Sequence, residues 1–459
     1  MTDPASLVMS GEDVRRLGYR IVDALVDQYQ GARPEAPAQS ASLAEFLDRV
    51  AEPPPATPAD PDATLDTAFA ALREFMNHTD HPRFFSRVPG PSSAPGALGD
   101  MLTAALNGAA MSESGHAGPT ALEIVVLRWL AELLGMPEET EGVLVNGGSL
   151  SSLTAFAVAR HAMLGEHDSS ATVYLSDQSH SSMARGLRIL GFTPNRIRTV
   201  RSDGQLRLPI DALLATIAAD RQAGLRPFMV VATAGTTNSG AVDPMHAIAD
   251  LTASEGMWMH VDGAYGAPAA LTQRGRRLLD GMQRADSLTL DPHKWLFAPY
   301  EIGVLLVRRP GLLESTFSVN PEYLRDSGGG MHFRNRSPQL SRTARGVKLW
   351  MVFKLFGVDR IRMAIDRGIT LAEIAEQELR TSDDWKIVTP AQLAVVNFEH
   401  RGLEPEELVR RTIADGYSAP SSTELHGRKV VRLCTINPRT TDDEMRQTIR
   451  RMAQLARTP

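Results

Sequence analysis

The sequence predicts an α/β fold: a large domain around a mostly parallel sheet, an N-terminal helical arm before it and a smaller C-terminal α+β domain after it. Three observations predict it. Between residues 142 and 307, six short apolar runs rich in β-branched residues (142–145, 172–175, 228–232, 257–261, 287–290 and 303–307) alternate with helical stretches. The length, 459 residues, is too great for one compact core. Polar clusters follow the runs directly, at the strand ends where open α/β sheets bind ligands.

In chain order, residues 11–29 set Val14, Leu17, Ile21, Leu25 and Tyr29 at helical spacing, an amphipathic helix. Residues 32–61, rich in Pro and Ala, read as an arm around a short helix at 42–50. Such an arm packs on something, and a second copy of the chain is one candidate. The strand-and-helix region follows. Beyond residue 347 come helices at 347–356 and 359–380, strand-like runs at 393–398 and 430–433, and a last helix at 441–455 capped by Thr441 and Asp442. The expected division is an arm at 1–80, a large domain at 81–346 and a small domain at 347–459.

Composition narrows the function. With 43% hydrophobic and 22% charged residues the chain has the make-up of a globular protein. A net charge of −6 carries no signature of nucleic-acid binding. No run approaches the roughly twenty apolar residues of a membrane span, and the N-terminus has no signal-peptide pattern, which makes the cytoplasm the default location. The one cysteine, Cys434, sits in an apolar run as a buried thiol. Neither it nor the histidines offer metal-ligand spacing, and no metal is expected.

Five clusters carry candidate chemistry. Asn146, Gly147, Gly148 and Ser149 stand between a strand and a helix, where backbone amides converge on an anion or simply close a tight turn. His180, after the second run, can lie over a flat ring, act as an acid or base, or cap a helix. Gly235, Thr236 and Thr237 are small enough to admit a ligand, and equally describe a turn. Asp262 ends an apolar strand, where an unpaired carboxylate is costly, and so needs a cation or donor. Lys294, between His293 and Trp295, follows a strand in an apolar setting expected to depress its pKa and make it nucleophilic.

One chemistry accounts for all five. Pyridoxal phosphate needs a lysine for a Schiff base, a carboxylate for its ring nitrogen, an anion nest for its phosphate and a flat group against its ring. Lys294, Asp262, Gly148 with Ser149, and His180 match those needs.

On these residues the sequence resembles the group II pyridoxal-phosphate-dependent amino-acid decarboxylases, which share the fold-type I architecture. The resemblance runs from Arg15, Arg16, Leu17 and Gly18 through His81, Pro82 and Arg83 to Asn437, Pro438 and Arg439. Its most specific part is HVDGAYG at 260–266 followed by DPHKW at 291–295. The resemblance implies that Lys294 forms the Schiff base, Asp262 pairs with the pyridine nitrogen, His180 stacks on the ring and Thr236 lies near the aldimine or ring oxygen. It gives Gly148, Ser149 and His293 to the phosphate. It also implies a homodimer with the site at the subunit boundary and the arm clasping the partner.

Two departures from the family pattern matter. Gly90 stands where aromatic-amino-acid decarboxylases carry a threonine near the substrate carboxylate. The pocket loops at 87–95, 111–120 and 326–342 are also poor in aromatics, which hints at a non-aromatic or bulky polar substrate side chain. In the expected mobile loop at 324–342, Phe333 falls at the family's proton-donating tyrosine, by counting back from the matching segment 345–350. Phenylalanine has no proton to give. Either His180, His332 or water protonates the carbanion and the product is an amine, or the carbanion reacts with dioxygen and the products are an aldehyde, carbon dioxide and ammonia.

Overall fold

The computed structural model describes residues 7–30, 36–38, 42–165, 168–319 and 330–457. Seven strands form the large sheet: β1 (Glu141–Val145), β2 (Ala171–Ser176), β3 (Ile197–Val200), β4 (Arg226–Thr233), β5 (Trp258–Asp262), β6 (Ser287–Leu290) and β7 (Gly303–Val307). Their spatial order is β1-β7-β6-β5-β4-β2-β3, parallel from β6 to β3, with β7 antiparallel to both its neighbours. All residues of β2, β5, β6 and β7 are buried, as expected of strands covered on both faces. That double burial is why they read as continuous apolar runs. β3 was not anticipated: it is an edge strand, Ile-Arg-Thr-Val, with only Val200 buried.

The small sheet is antiparallel, in the order β10-β11-β9-β8, from β8 (Trp385–Gln392), β9 (Val395–His400), β10 (Ser421–Leu425) and β11 (Arg428–Cys434). The expected runs at 393–398 and 430–433 are the inner strands β9 and β11. The outer two carry mixed exposed and half-buried residues, so they lack an apolar signature. Leu371, Phe398, Leu433, Met445 and Ile449 fill the core between this sheet and the helices Val358–Leu379 and Asp442–Arg457. Thr441 caps the last helix reciprocally with Glu444. Phe85 also belongs to this core: its N–H donates to the Ala419 carbonyl at 2.9 Å and its carbonyl accepts from Cys434 N–H at 3.0 Å. The chain therefore touches the small sheet before it builds the large one.

A second contact joins the two layers at the turn after β6. Trp295 is fully buried and stacks on Tyr265, ring centroids 5.3 Å apart at 2°. The helix Val358–Leu379 crosses this pair at Gly368, where a Cβ would come within 3.1 Å of the indole.

The arm contains the helices Gly11–Gln30, Leu43–Val50 and Pro61–Arg73, the third of which was not anticipated. Residues 32–35 and 39–41 of the expected arm lie outside the described residues. None of the three helices has a buried residue. Arg16 and Arg20 tie the first to Asp62 and Asp66 on the third. Among the described residues, no helix is long and apolar enough to cross a membrane.

Residues 324–329 of the expected mobile loop lie outside the described residues. Phe333 begins a short turn, Phe333–Asn335, and is fully buried. Its ring lies 5.1 Å from the guanidinium of Arg342, which pairs with Glu123 at 2.7 Å and donates to the Ala110 carbonyl at 2.8 Å. Glu123 in turn accepts from the Leu144 N–H of β1 at 3.0 Å, so the returning loop is pinned to the edge of the sheet.

Two stability predictions follow from buried ionisable groups. Arg342 and Glu123 have no exposed side-chain surface, and Glu123→Gln leaves an uncompensated cation; denaturant unfolding should show a loss of roughly 3–5 kcal/mol, and an unchanged midpoint would contradict this. His260, in β5, is wholly buried with Nδ1 2.8 Å from Ser287 Oγ, and burial pushes its pKa down to about 3. Below the ordinary value near 6.5 the unfolded chain therefore binds a proton that the folded chain refuses. The stabilisation is complete above about pH 6.5 and falls by roughly 1.4 kcal/mol per unit as pH drops toward 3. His260→Gln should flatten the pH profile of the unfolding midpoint between pH 6.5 and 4; profiles parallel to wild type would count against it.

Candidate active site

Five strand ends converge on a cavity of about 360 Å³. β1 leads into the start of the helix Gly148–Leu164, β2 into His180, β4 into Gly235 and Thr237, β5 into Asp262, and β6 into Asp291, His293 and Lys294. All lie at the carboxyl ends of their strands except that β7, running the other way, departs from this end.

Gly147 adopts φ 93°, a conformation that favours glycine, and the Gly147 carbonyl accepts from Leu150 and Ser151. The amides of Gly148 and Ser149 thus precede the first bonds of the helix, as an anion nest requires. A Cβ on Gly148 would stand 2.8 Å from Asp291 Oδ2 and 3.3 Å from the Ala264 side chain, so the close approach there demands glycine. His293 lies nearby, its Nδ1 2.6 Å from the Ile302 carbonyl, which fixes the ring proton on that nitrogen. Burial lowers the His293 pKa and keeps the ring neutral.

His180 fulfils one of its expected readings, the helix cap. It is the N-cap of the helix Ser181–Ile189, its Nδ1 accepting from Ser182 N–H at 3.3 Å and sitting 2.7 Å from Ser182 Oγ. The capping holds the ring at the cavity wall. Asp262, 5% exposed at the end of β5, accepts one hydrogen bond, from Ala264 N–H at 3.1 Å. Burial raises its pKa, the Ala264 N–H, Lys294 and His180 act against that, and Asp291 adds to it. It is a carboxylate whose environment asks for a further cation.

Lys294 differs from expectation in its electrostatics. Its Nζ lies 2.8 Å from Asp291 Oδ2. Burial opposes the charge, but Asp291 and, less strongly, Asp262 outweigh it, and the amine's pKa is raised rather than depressed. Asp291 was given no role of its own from the sequence; its place three before Lys294, as N-cap of the short helix Pro292–Trp295, was the available signal.

Two expected residues stand off the cavity. Thr236 Oγ1 is turned to Ser239 Oγ at 2.7 Å and Ala241 N–H at 3.1 Å, and its neighbours Gly235 and Thr237 line the cavity instead. Phe333 does not line it either: as part of the core beneath Arg342, it is not at the reacting centre of its own chain. Tyr300 lines it without having been anticipated, because only the turn after Trp295 brings it back. A Cβ on Gly90 would fall 2.6 Å from the Tyr300 hydroxyl, so the missing side chain at 90 is the space that ring occupies.

The chain is similar to known proteins over most of its length. The family model described as "Pyridoxal-dependent decarboxylase conserved domain" matches residues 49–401. An aromatic-L-amino-acid decarboxylase from Bacillus atrophaeus is 40% identical, across 98% of this chain and 97% of that one. A phenylacetaldehyde synthase from Arabidopsis thaliana is 31% identical, across 95% of this chain and 94% of that one. The crystal structure of Oryza sativa TDC with PLP and tryptamine superposes with a TM-score of 0.92 at 29% identity, covering 99% of both chains.

The nest can be tested alone. Gly148→Ala sets a methyl group against Asp291 and should weaken pyridoxal-phosphate binding about tenfold or more in an absorbance titration of cofactor-free protein. Unchanged affinity would remove the Gly148 helix start from the site.

Proposed function

The chain belongs to the pyridoxal-dependent decarboxylase family and is a pyridoxal-phosphate-dependent amino-acid decarboxylase; we propose that its substrates are aromatic L-amino acids and its products carbon dioxide and the amine. The observation that carries the reading is the convergence of Lys294, Asp262, His180 and the Gly148 helix start on one cavity. In it, the amides of Gly148 and Ser149 with His293 would hold the phosphate, Asp262 would hold the ring nitrogen, His180 would lie against the ring, and Thr237 would take the neighbouring place first expected of Thr236.

When bound, the cofactor supplies an electron sink for the electron pair left by the departing carboxylate. The protein's part is charge and orientation. Asp262, nearly dry and short of partners, keeps a proton on the ring nitrogen it faces, because a buried carboxylate without a cation is costly. His180 cannot swing away without breaking its contacts to Ser182. Lys294, kept protonated by Asp291, stores a proton at Nζ within the cavity, and His180 lines the same cavity. These two are the groups to which proton delivery falls in place of Phe333.

The substrate class rests on the aromatic-L-amino-acid decarboxylase relative, which displaces the hint of a non-aromatic side chain drawn from the loops. The reading includes a homodimer, since Val14, Ile21 and Val26 lie exposed on an arm helix with no buried residue and need cover. It keeps the cytoplasm as location and the division at residues 80 and 346.

A second reading has one observation in its favour. Phe333 stands where the family has its proton-donating tyrosine, and a relative named phenylacetaldehyde synthase is 31% identical, so dioxygen would take two electrons from the carbanion and leave as hydrogen peroxide, and water would hydrolyse the resulting imine to an aldehyde and ammonia. Against it stand Lys294 and His180, which line the cavity and can supply the proton that Phe333 lacks.

Incubation with L-tryptophan, L-tyrosine, L-phenylalanine and L-glutamate, following carbon dioxide, amine and oxygen, separates these readings. The expected result is carbon dioxide from the aromatic substrates with equal amine and no oxygen uptake. Oxygen consumption equal to carbon dioxide release would establish the aldehyde route, and release from glutamate alone would sink the substrate class. Asp262→Asn should lower kcat/KM about a hundredfold or more, by loss of the charge that holds the ring proton.

A further inference from the structure

Asp291 carries more than its turn requires. Its carboxylate is 2% exposed, with Oδ2 2.8 Å from Lys294 Nζ and 3.7 Å from His293 Nε2, while Oδ1 is buried with no hydrogen-bond partner. Both oxygens also press on the start of the Gly148 helix, 2.8 and 3.2 Å from where a Cβ on Gly148 would be. A buried oxygen without a donor thus lies at the first turn of the helix whose amides a phosphate would use. One helix start stabilises one anion, and a second anion in contact with the first is repelled.

We propose that Asp291 is a positioning residue that regulates cofactor capture: without cofactor its carboxylate holds Lys294 as an ammonium and sits on the helix start, and the arriving phosphate ester must displace both contacts. The inference rests on the pyridoxal-phosphate reading of the cavity. To bond the cofactor's aldehyde carbon, the Lys294 ammonium first gives a proton to water. The amine nitrogen then attacks the carbon, the aldehyde oxygen leaves as water, and a C=N bond replaces C=O. Asp291 slows the first step by stabilising the ammonium, and weakens the finished complex because its carboxylate has lost that ammonium and faces the phosphate. The raised pKa of Lys294 agrees with the first effect. The other ionisable groups around Lys294 are Asp262 from β5, His180 from the end of β2, Cys434 from β11, and His293, Tyr300 and Glu301 from its own segment, and none of them forms an ion pair with Nζ as Asp291 does.

The test compares cofactor-free wild type with Asp291→Asn, which keeps the shape and removes the charge. Capture of pyridoxal phosphate is followed by stopped-flow absorbance from pH 6 to 10, and binding of inorganic phosphate alone by quenching of tryptophan fluorescence. The variant should capture the cofactor several-fold faster at pH 7, reach half its maximal rate at a lower pH, and bind inorganic phosphate about tenfold more tightly. Capture that is unchanged or slower, or phosphate binding that is unchanged or weaker, overturns the proposal while the cofactor assignment stands. Failure of wild type to take up pyridoxal phosphate at all would overturn that assignment and the proposal with it. If Asp291→Asn does not fold, Asp291→Ser, also uncharged, carries the same comparison.

Discussion

Two buried carboxylates and one partly buried ammonium share a cavity, and the architecture around them is what makes that tolerable. Asp262 closes β5, the strand in the middle of the sheet, and Asp291 and Lys294 follow β6 beside it. Charges so placed cost several kcal/mol each unless partners are held in position, and a mobile surface loop could not hold them. The parallel core strands, buried on both faces, supply that rigidity. With Asp291 committed to Lys294, Asp262 is the charge left over, and a protonated pyridine ring is what answers it.

The rigid frame extends into the small domain through a shared core that includes Ile365, Ile369, Val395 and Cys434. The Tyr265–Trp295 stack places an aromatic floor under the segment that bears Lys294, and Gly368 lets the long helix Val358–Leu379 lie directly on it. The Tyr265 hydroxyl accepts from Ala394 N–H at 3.0 Å, just before β9. The residue after Lys294 therefore anchors the reactive lysine in the junction between the two sheets.

What was legible in the sequence follows from how each residue is buried. Strands covered on both faces, such as β5 and β7, announce themselves as apolar runs, whereas edge strands β3, β8 and β10 are half solvated and look like loops. Lys294, Asp262 and His180 were legible because charged or polar groups just after apolar strands need a reason to be there. Thr236 against Thr237 was not, since a turn decides which hydroxyl faces inward and both residues have the same chemistry. Nor was the Lys294 pKa: an apolar neighbourhood suggested a depressed value, but one carboxylate three residues away reverses it. Phe333 marks another limit, because counting along a loop fixes its register without showing whether the ring faces the cavity or the core.

The central claim is that Lys294 is the cofactor's point of attachment. Lys348, which is buried, is a fair competitor by burial alone, but it is already bound to Asp100 at 2.9 Å and to the Pro299 carbonyl at 3.2 Å. Reduction of the cofactor-loaded protein with borohydride, proteolysis and mass spectrometry would locate the adduct directly. The account predicts one pyridoxyl-phosphate modification, on the peptide containing Lys294; an adduct on Lys348 or any other lysine, or none, would contradict it.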